Sequence, residues 1–129
     1  MRNRLLLAAA LCCAGTAAQA HHSFAVFFDD TKDIKIKGKV TGFRFTNPHG
    51  LITLDVTDAK GTVTPWRVET NAPVVLVRRG WTRDILKAGD VITIEGWPSR
   101  DGKPYARLRA ASDSSGKPIG KSAFGKTDS

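Results

Sequence analysis

The chain is poor in cysteine, tyrosine and methionine, with two, one and one in 129 residues. Both cysteines, Cys12 and Cys13, lie in the first twenty residues, which read as a removable leader. Beyond them no thiol remains, which excludes disulfides, zinc–thiolate sites and cysteine nucleophiles from the rest of the chain. The apolar run is too short for a spanning helix of ~20 residues, so no transmembrane segment is expected. Patterns of the GxSxG, HExxH, P-loop and EF-hand kinds are also missing. A hydrolase needs a nucleophile, a base and an oxyanion site converging. Ser23 beside His22, Asp29-Asp30 with Asp33, and Asp55 with Asp58 offer no such set and read as solvated or turn residues.

What is present begins with that leader. Arg2 and Arg4 precede an apolar stretch from Leu5, and Ala18-Gln19-Ala20 forms an A-x-A cleavage site. Leu11 before Cys12 breaks the small-residue pattern of a lipoprotein signal. Cleavage after Ala20, release to the periplasm or medium, and no lipid anchor are therefore expected. The released chain has 109 residues. Loss of Arg2 and Arg4 takes the net charge from +8 to +6.

From Ile34 to Ala111 the hydrophobic period is mostly two, the mark of strands with one buried face. Ile34, Ile36 and Val40 alternate with Lys35, Lys37 and Lys39. The phase then shifts to Phe43 and Phe45, which predicts a bulge near Gly42. Asn47-Pro48-His49-Gly50 has turn chemistry. Ile52, Leu54 and Val56 mark a second strand, and Trp66 and Val68 a third, with Pro65 placing part of it at an edge. A short helix follows, with Asn71 as candidate cap, Pro73 in its first turn and Gly80 past its end. Ile92 and Ile94 mark the fourth strand. The fifth alternates Ala106, Leu108 and Ala110 with Tyr105, Arg107 and Arg109. Three strands, a helix and two strands suit a mainly β, OB-like five-stranded barrel with one short helix between strands three and four. A sandwich, or an open sheet with a helix across it, is the rival. The domain should span residues 21–111. Residues 112–129, rich in Gly, Ser and Lys, should be a disordered tail.

Three marks together resemble a known family: His21-His22-Ser23-Phe24 at the new terminus, Thr46-Asn47-Pro48-His49 in the first turn, and Arg79-Gly80-Trp81-Thr82-Arg83 after the helix. It is a group of small exported bacterial proteins known only as domain of unknown function 6152. The resemblance covers nearly all of the released chain up to Ser112. It implies a periplasmic OB-like barrel and carries no established activity. Members often have Trp at the position of Phe45.

The released chain keeps three histidines, His21, His22 and His49. Cleavage would give His21 a free α-amine, whose pKa near ~8 lets a metal displace its proton. Amine and ring of one histidine, with a second imidazole, make a three-nitrogen set that favours copper. His49 is the first candidate for that second imidazole and His22 its rival. The plain alternative is a solvated terminal pair and a His49 bonded within its own turn. Asn47 and Phe45 lie close in sequence and are candidate ligand-surface residues. Lys35 and Lys37 on the first strand, with Arg107 and Arg109 on the fifth, would form a basic face for an anionic envelope ligand. Export moves the protein away from cellular nucleic acid, so that partner is the weaker reading, and no protein partner is inferred. Three functions stay open: a copper-binding protein, a metal-free module for an anionic envelope ligand, and a copper oxidase or monooxygenase on the same histidines. Binding is preferred to catalysis.

Overall fold

The computed structural model describes residues 24–128. Its strands are β1 (Ile34–Arg44), β2 (Leu51–Thr57), β3 (Val63–Glu69), β4 (Val91–Pro98) and β5 (Tyr105–Asp113), with one helix, α1 (Pro73–Arg78), between β3 and β4. They close into a barrel in the order β1-β2-β3-β5-β4, with β4 paired back to β1. Every contact is antiparallel except β3 with β5, which is parallel. This is the OB-like architecture the strand order predicts.

The inward row of each strand forms the core: Val40, Ile52, Leu54, Val68, Ile92, Ile94, Ala106 and Leu108, all nearly inaccessible. Ile36, also expected inside, is only partly buried against it. β1 serves two neighbours because it bends. Its register with β2 slips between Val40 and Gly42, which moves Phe43 onto the core side. Pro65 sits in the stretch of β3 that pairs with β2 alone, since β5 joins only at Arg67, Val68 and Glu69. A residue without an amide hydrogen is tolerated there because no second neighbour needs one.

α1 closes one end of the barrel by burying Leu76. Gly80 ends the helix at φ +80, and the amide of Trp81 returns to the Leu76 carbonyl at 2.9 Å. Trp81 thereby tucks into the core at 1% exposure. Asn71 is not the cap. The cap position is Ala72, with no side-chain bond, and Asn71 is buried instead.

Two further expectations fail. On β5 the buried residue is Ala111, with Ala110 half-buried. A register shift opposite Glu95 and Gly96 inserts an extra residue and reverses the phase. And residues 112–128 are not a free tail. Asp113 Oδ1 organises a turn by accepting from the amides of Ser115 and Lys117. The Ile119 amide then bonds the Ala111 carbonyl at 2.8 Å, and Phe124 is buried against Trp81. One aromatic anchor and a few backbone bonds hold a segment whose composition is that of a linker.

Ile94 lies at the centre of this small core. Ile94→Ala should cost about 2–5 kcal/mol, because the lost methyl groups leave a cavity. Urea unfolding of a chain of residues 21–129 checks this, and a change near zero would mean the inward row of β4 is misassigned.

Candidate functional site

The outer face of the β3–β5 seam gathers the titratable side chains. Arg67 pairs with Tyr105 and Glu69 with Arg107 in the parallel ladder, so these four share the face opposite the core. The turn after β1 brings His49 beside them. Asn47-Pro48 is a cis peptide, and Gly50 packs so closely that a Cβ would come within 2.8 Å of the Arg44 carbonyl. The Gly50 carbonyl accepts the Thr70 amide at 2.9 Å. This stitches the turn to the end of β3 and sets His49 over Glu69.

Glu69 is the hub. Its Oε1 accepts from Nδ1 of His49 and from Nη1 of Arg107, each at 2.8 Å. Its Oε2 accepts the Tyr105 hydroxyl. Arg67 lies over the Tyr105 ring at 5.2 Å. His49 therefore bonds across to β3 rather than within its own turn. A nitrogen that donates to a carboxylate carries the proton, which leaves Nε2 of a neutral His49 with a lone pair.

The electrostatics agree. Burial first, and then the Arg107 charge, hold the His49 pKa below its usual 6.5, with Glu69 pulling the other way. Burial, then the bond to and charge of Glu69, push the Tyr105 pKa far above 10, so it stays a neutral donor. Burial lowers the Arg107 pKa against the opposing charge of Glu69.

Arg107 is 5% exposed, where a solvated basic face was expected. Its burial is explained by Glu69 on one side and Trp97, its partner in the β4 ladder, on the other. Arg109 bonds Glu95 at 2.9 Å, and Lys35 reaches the same carboxylate at 3.4 Å. Of the proposed basic face only Lys37 is exposed with no carboxylate partner among the described residues. Asn47 is exposed in the turn. Phe45 goes elsewhere: it meets Phe43 edge-on at 5.8 Å and lies under Arg83 at 5.4 Å.

The start of the described chain lies on this same outer face. A helical turn over residues 24–27 sets Phe24 edge-on to Trp97 at 5.5 Å, and Phe28 5.2 Å from Tyr105. The Arg100 amide bonds the Phe27 carbonyl, and the Asp29 amide bonds the Pro98 carbonyl, both at 2.9 Å. His21 and His22 lie outside the described residues. Among the described residues no group of three His, Cys, Asp or Glu side chains is placed to hold a metal, and no helix is long and apolar enough to cross a membrane.

Glu69 is the residue that sequence reasoning missed. Its signal was a carboxylate at the C-terminal end of a strand otherwise free of acid.

The sequence model of a family of unknown function, DUF6152, matches residues 9–107. The chain belongs to that family. No curated protein matches it. Among solved structures, the mitochondrial single-stranded DNA-binding protein Rim1 of S. cerevisiae is similar with a TM-score of 0.48 at 8% identity, over 64% of this chain and 92% of that one. TiaS in complex with a transfer RNA and ATP gives a TM-score of 0.43 at 16% identity, over 67% of this chain and 19% of TiaS.

Because folding depresses the His49 pKa, the folded chain takes up this proton less readily than the unfolded one. Stability therefore rises with pH between the depressed value and 6.5, and is lost as pH falls through that window. Imidazole NMR titration should place His49 below 6.5. In Glu69→Gln the midpoint should drop further, because the Arg107 charge is then unopposed. A midpoint above 6.5 in the wild type would refute the arrangement.

Proposed function

We propose that this protein is exported to the periplasm, loses residues 1–20, and binds copper. The ligands are the α-amine and ring of His21 and Nε2 of His49. The observation that carries this reading is the 2.8 Å bond from His49 Nδ1 to Glu69. A carboxylate behind one ring nitrogen fixes the tautomer, aims the other nitrogen outward and raises its basicity, as in protein metal sites generally. The depressed pKa keeps that ring neutral at pH 7, as a ligand must be.

A shared outer face supports His21 as the other ligand. Phe24 is held on Trp97, which faces Arg107 across the ladder, and Arg107 shares the Glu69 oxygen with His49. The start of the described chain and His49 therefore lie on one outer face of the barrel, joined through Trp97, Arg107 and Glu69. Amine plus two imidazoles is a nitrogen set suited to Cu(II). The reading without metal, an anionic ligand on the basic face, draws less support, because Arg107, Arg109 and Lys35 already face carboxylates.

Cu(II) titration of the released chain, followed by electron paramagnetic resonance, tests this. One equivalent should bind with a nitrogen-rich spectrum. One extra Ala before His21 should weaken binding strongly, since the amine becomes an amide while every imidazole remains. Glu69→Gln should cost about 10–100-fold in affinity, and His49→Ala at least as much. Should His22→Ala hurt more than His49→Ala, the site is a floppy terminal pair. If none of the four changes matters, there is no site.

A further inference from the structure

A second feature of the molecule lies at the α1 end of the barrel, where the Gly50 amide beside His49 bonds the Asn71 carbonyl at 3.3 Å. Residues 121–128 are held there the way a peptide is held by a receptor. Phe124 fills a slot against Trp81, ring centroids 6.1 Å apart, and is 3% exposed. Arg79 lies over its ring at 5.9 Å. The same guanidinium donates to Ser122 Oγ at 2.7 Å, to the Ala123 carbonyl at 2.8 Å and to Asp128 Oδ2 at 2.7 Å. The Arg79 carbonyl accepts the Lys121 amide at 2.8 Å, and Asn71 Nδ2 donates to the Asp128 carbonyl. One buried aromatic anchor, main-chain bonds and one charge pair are the elements of peptide recognition.

Two further observations point to a ligand other than the tail. Asn71 Oδ1 and Trp81 Nε1 are buried here with no partner among the described residues, on residues each 1% exposed. The tail fills the slot without satisfying it, and unpaired buried polar atoms are costly. The slot residues Asn71, Arg79 and Trp81 also lie inside the span that matches the family, residues 9–107, whereas the segment that fills it lies outside.

We propose that this slot is a docking site for a partner protein segment carrying an aromatic residue with an acidic residue four positions later, and that residues 120–128 are its internal competitor, Gly120 being the residue that covers Trp81 Nε1. Phe124 and Asp128 show the chemistry the slot accepts. A partner that also offers an N–H to Asn71 Oδ1 and an acceptor to Trp81 Nε1 gains two bonds the tail leaves unmade. The tail is suited to yield. It is linked through Gly116, and Gly120 packs on the Trp81 indole with no side chain of its own to hold it there.

The test uses the full released chain and a fluorescent peptide with the sequence of residues 117–129. The Phe124→Ala chain, its slot emptied, should bind this peptide at least about tenfold more tightly than the wild type does. Replacing the peptide's Phe by Ala, or its aspartate at the position of Asp128 by Lys, should each weaken binding by about tenfold or more. If Phe124→Ala fails to fold by circular dichroism, a protease site after Gly116, cut once the chain is folded, replaces it, and the cut tail should then exchange with labelled peptide. A folded chain that neither binds nor exchanges the peptide overturns the proposal. So does equal binding of the Asp and Lys peptides, or a dimer that swaps tails in place of peptide binding.

Discussion

The barrel closes through its shortest seam. β3 and β5 run parallel over only three paired positions, and parallel pairing is slightly the weaker kind per residue. What reinforces it is a single carboxylate. Glu69, at the last of those pairs, bonds Arg107 directly beside it and Tyr105 two residues before. Arg107 is almost wholly buried, and a buried guanidinium without its partner would cost about 3–5 kcal/mol. The same oxygen that balances Arg107 also orients His49. Closure of the barrel and presentation of the histidine are therefore one electrostatic arrangement, and neither can change alone.

That arrangement would be open to water on its outer side without the segment at residues 24–28. Its rings run from Trp97 through Phe24 and Phe28 to Tyr105, and its backbone bonds tie it to the β4–β5 hairpin. Packing on Tyr105 shields one of the groups bonded to Glu69, and a lower local dielectric strengthens that bond. It also fixes where the chain enters the barrel, on the same outer face as His49. A metal site made from a chain terminus needs such an anchor, because the terminus itself has little to hold it.

The strands were legible because a half-buried strand writes its burial into alternate residues. Ile52, Leu54 and Val68 needed nothing more, and the bend in β1 showed as the phase change before Phe43. The fifth strand misled at Ala110 because its bulge is caused by a partner. Gly96 has no side chain where the Arg107 carbonyl approaches, and nothing within β5 records that. His49 was legible as a turn residue. Its carboxylate was not, because Glu69 lies twenty positions later, and its bond to Arg107 spans 38 more. A buried Arg107 was hidden for the same reason: alternation placed it outward, correctly, but burial on that side comes from Glu69 and Trp97. The tail was misjudged because composition averages over its residues, while a few of them, Asp113, Ile119, Phe124 and Asp128, hold it to the barrel.

The most direct measurement is a long-range proton–nitrogen NMR spectrum of the three imidazoles in the released chain, before and after a trace of Cu(II). A Glu69-oriented site predicts that His49 is neutral and protonated at Nδ1, and that copper broadens its ring signals together with those of His21. A His49 protonated at Nε2, or one whose signals survive while only His21 and His22 broaden, would contradict the account.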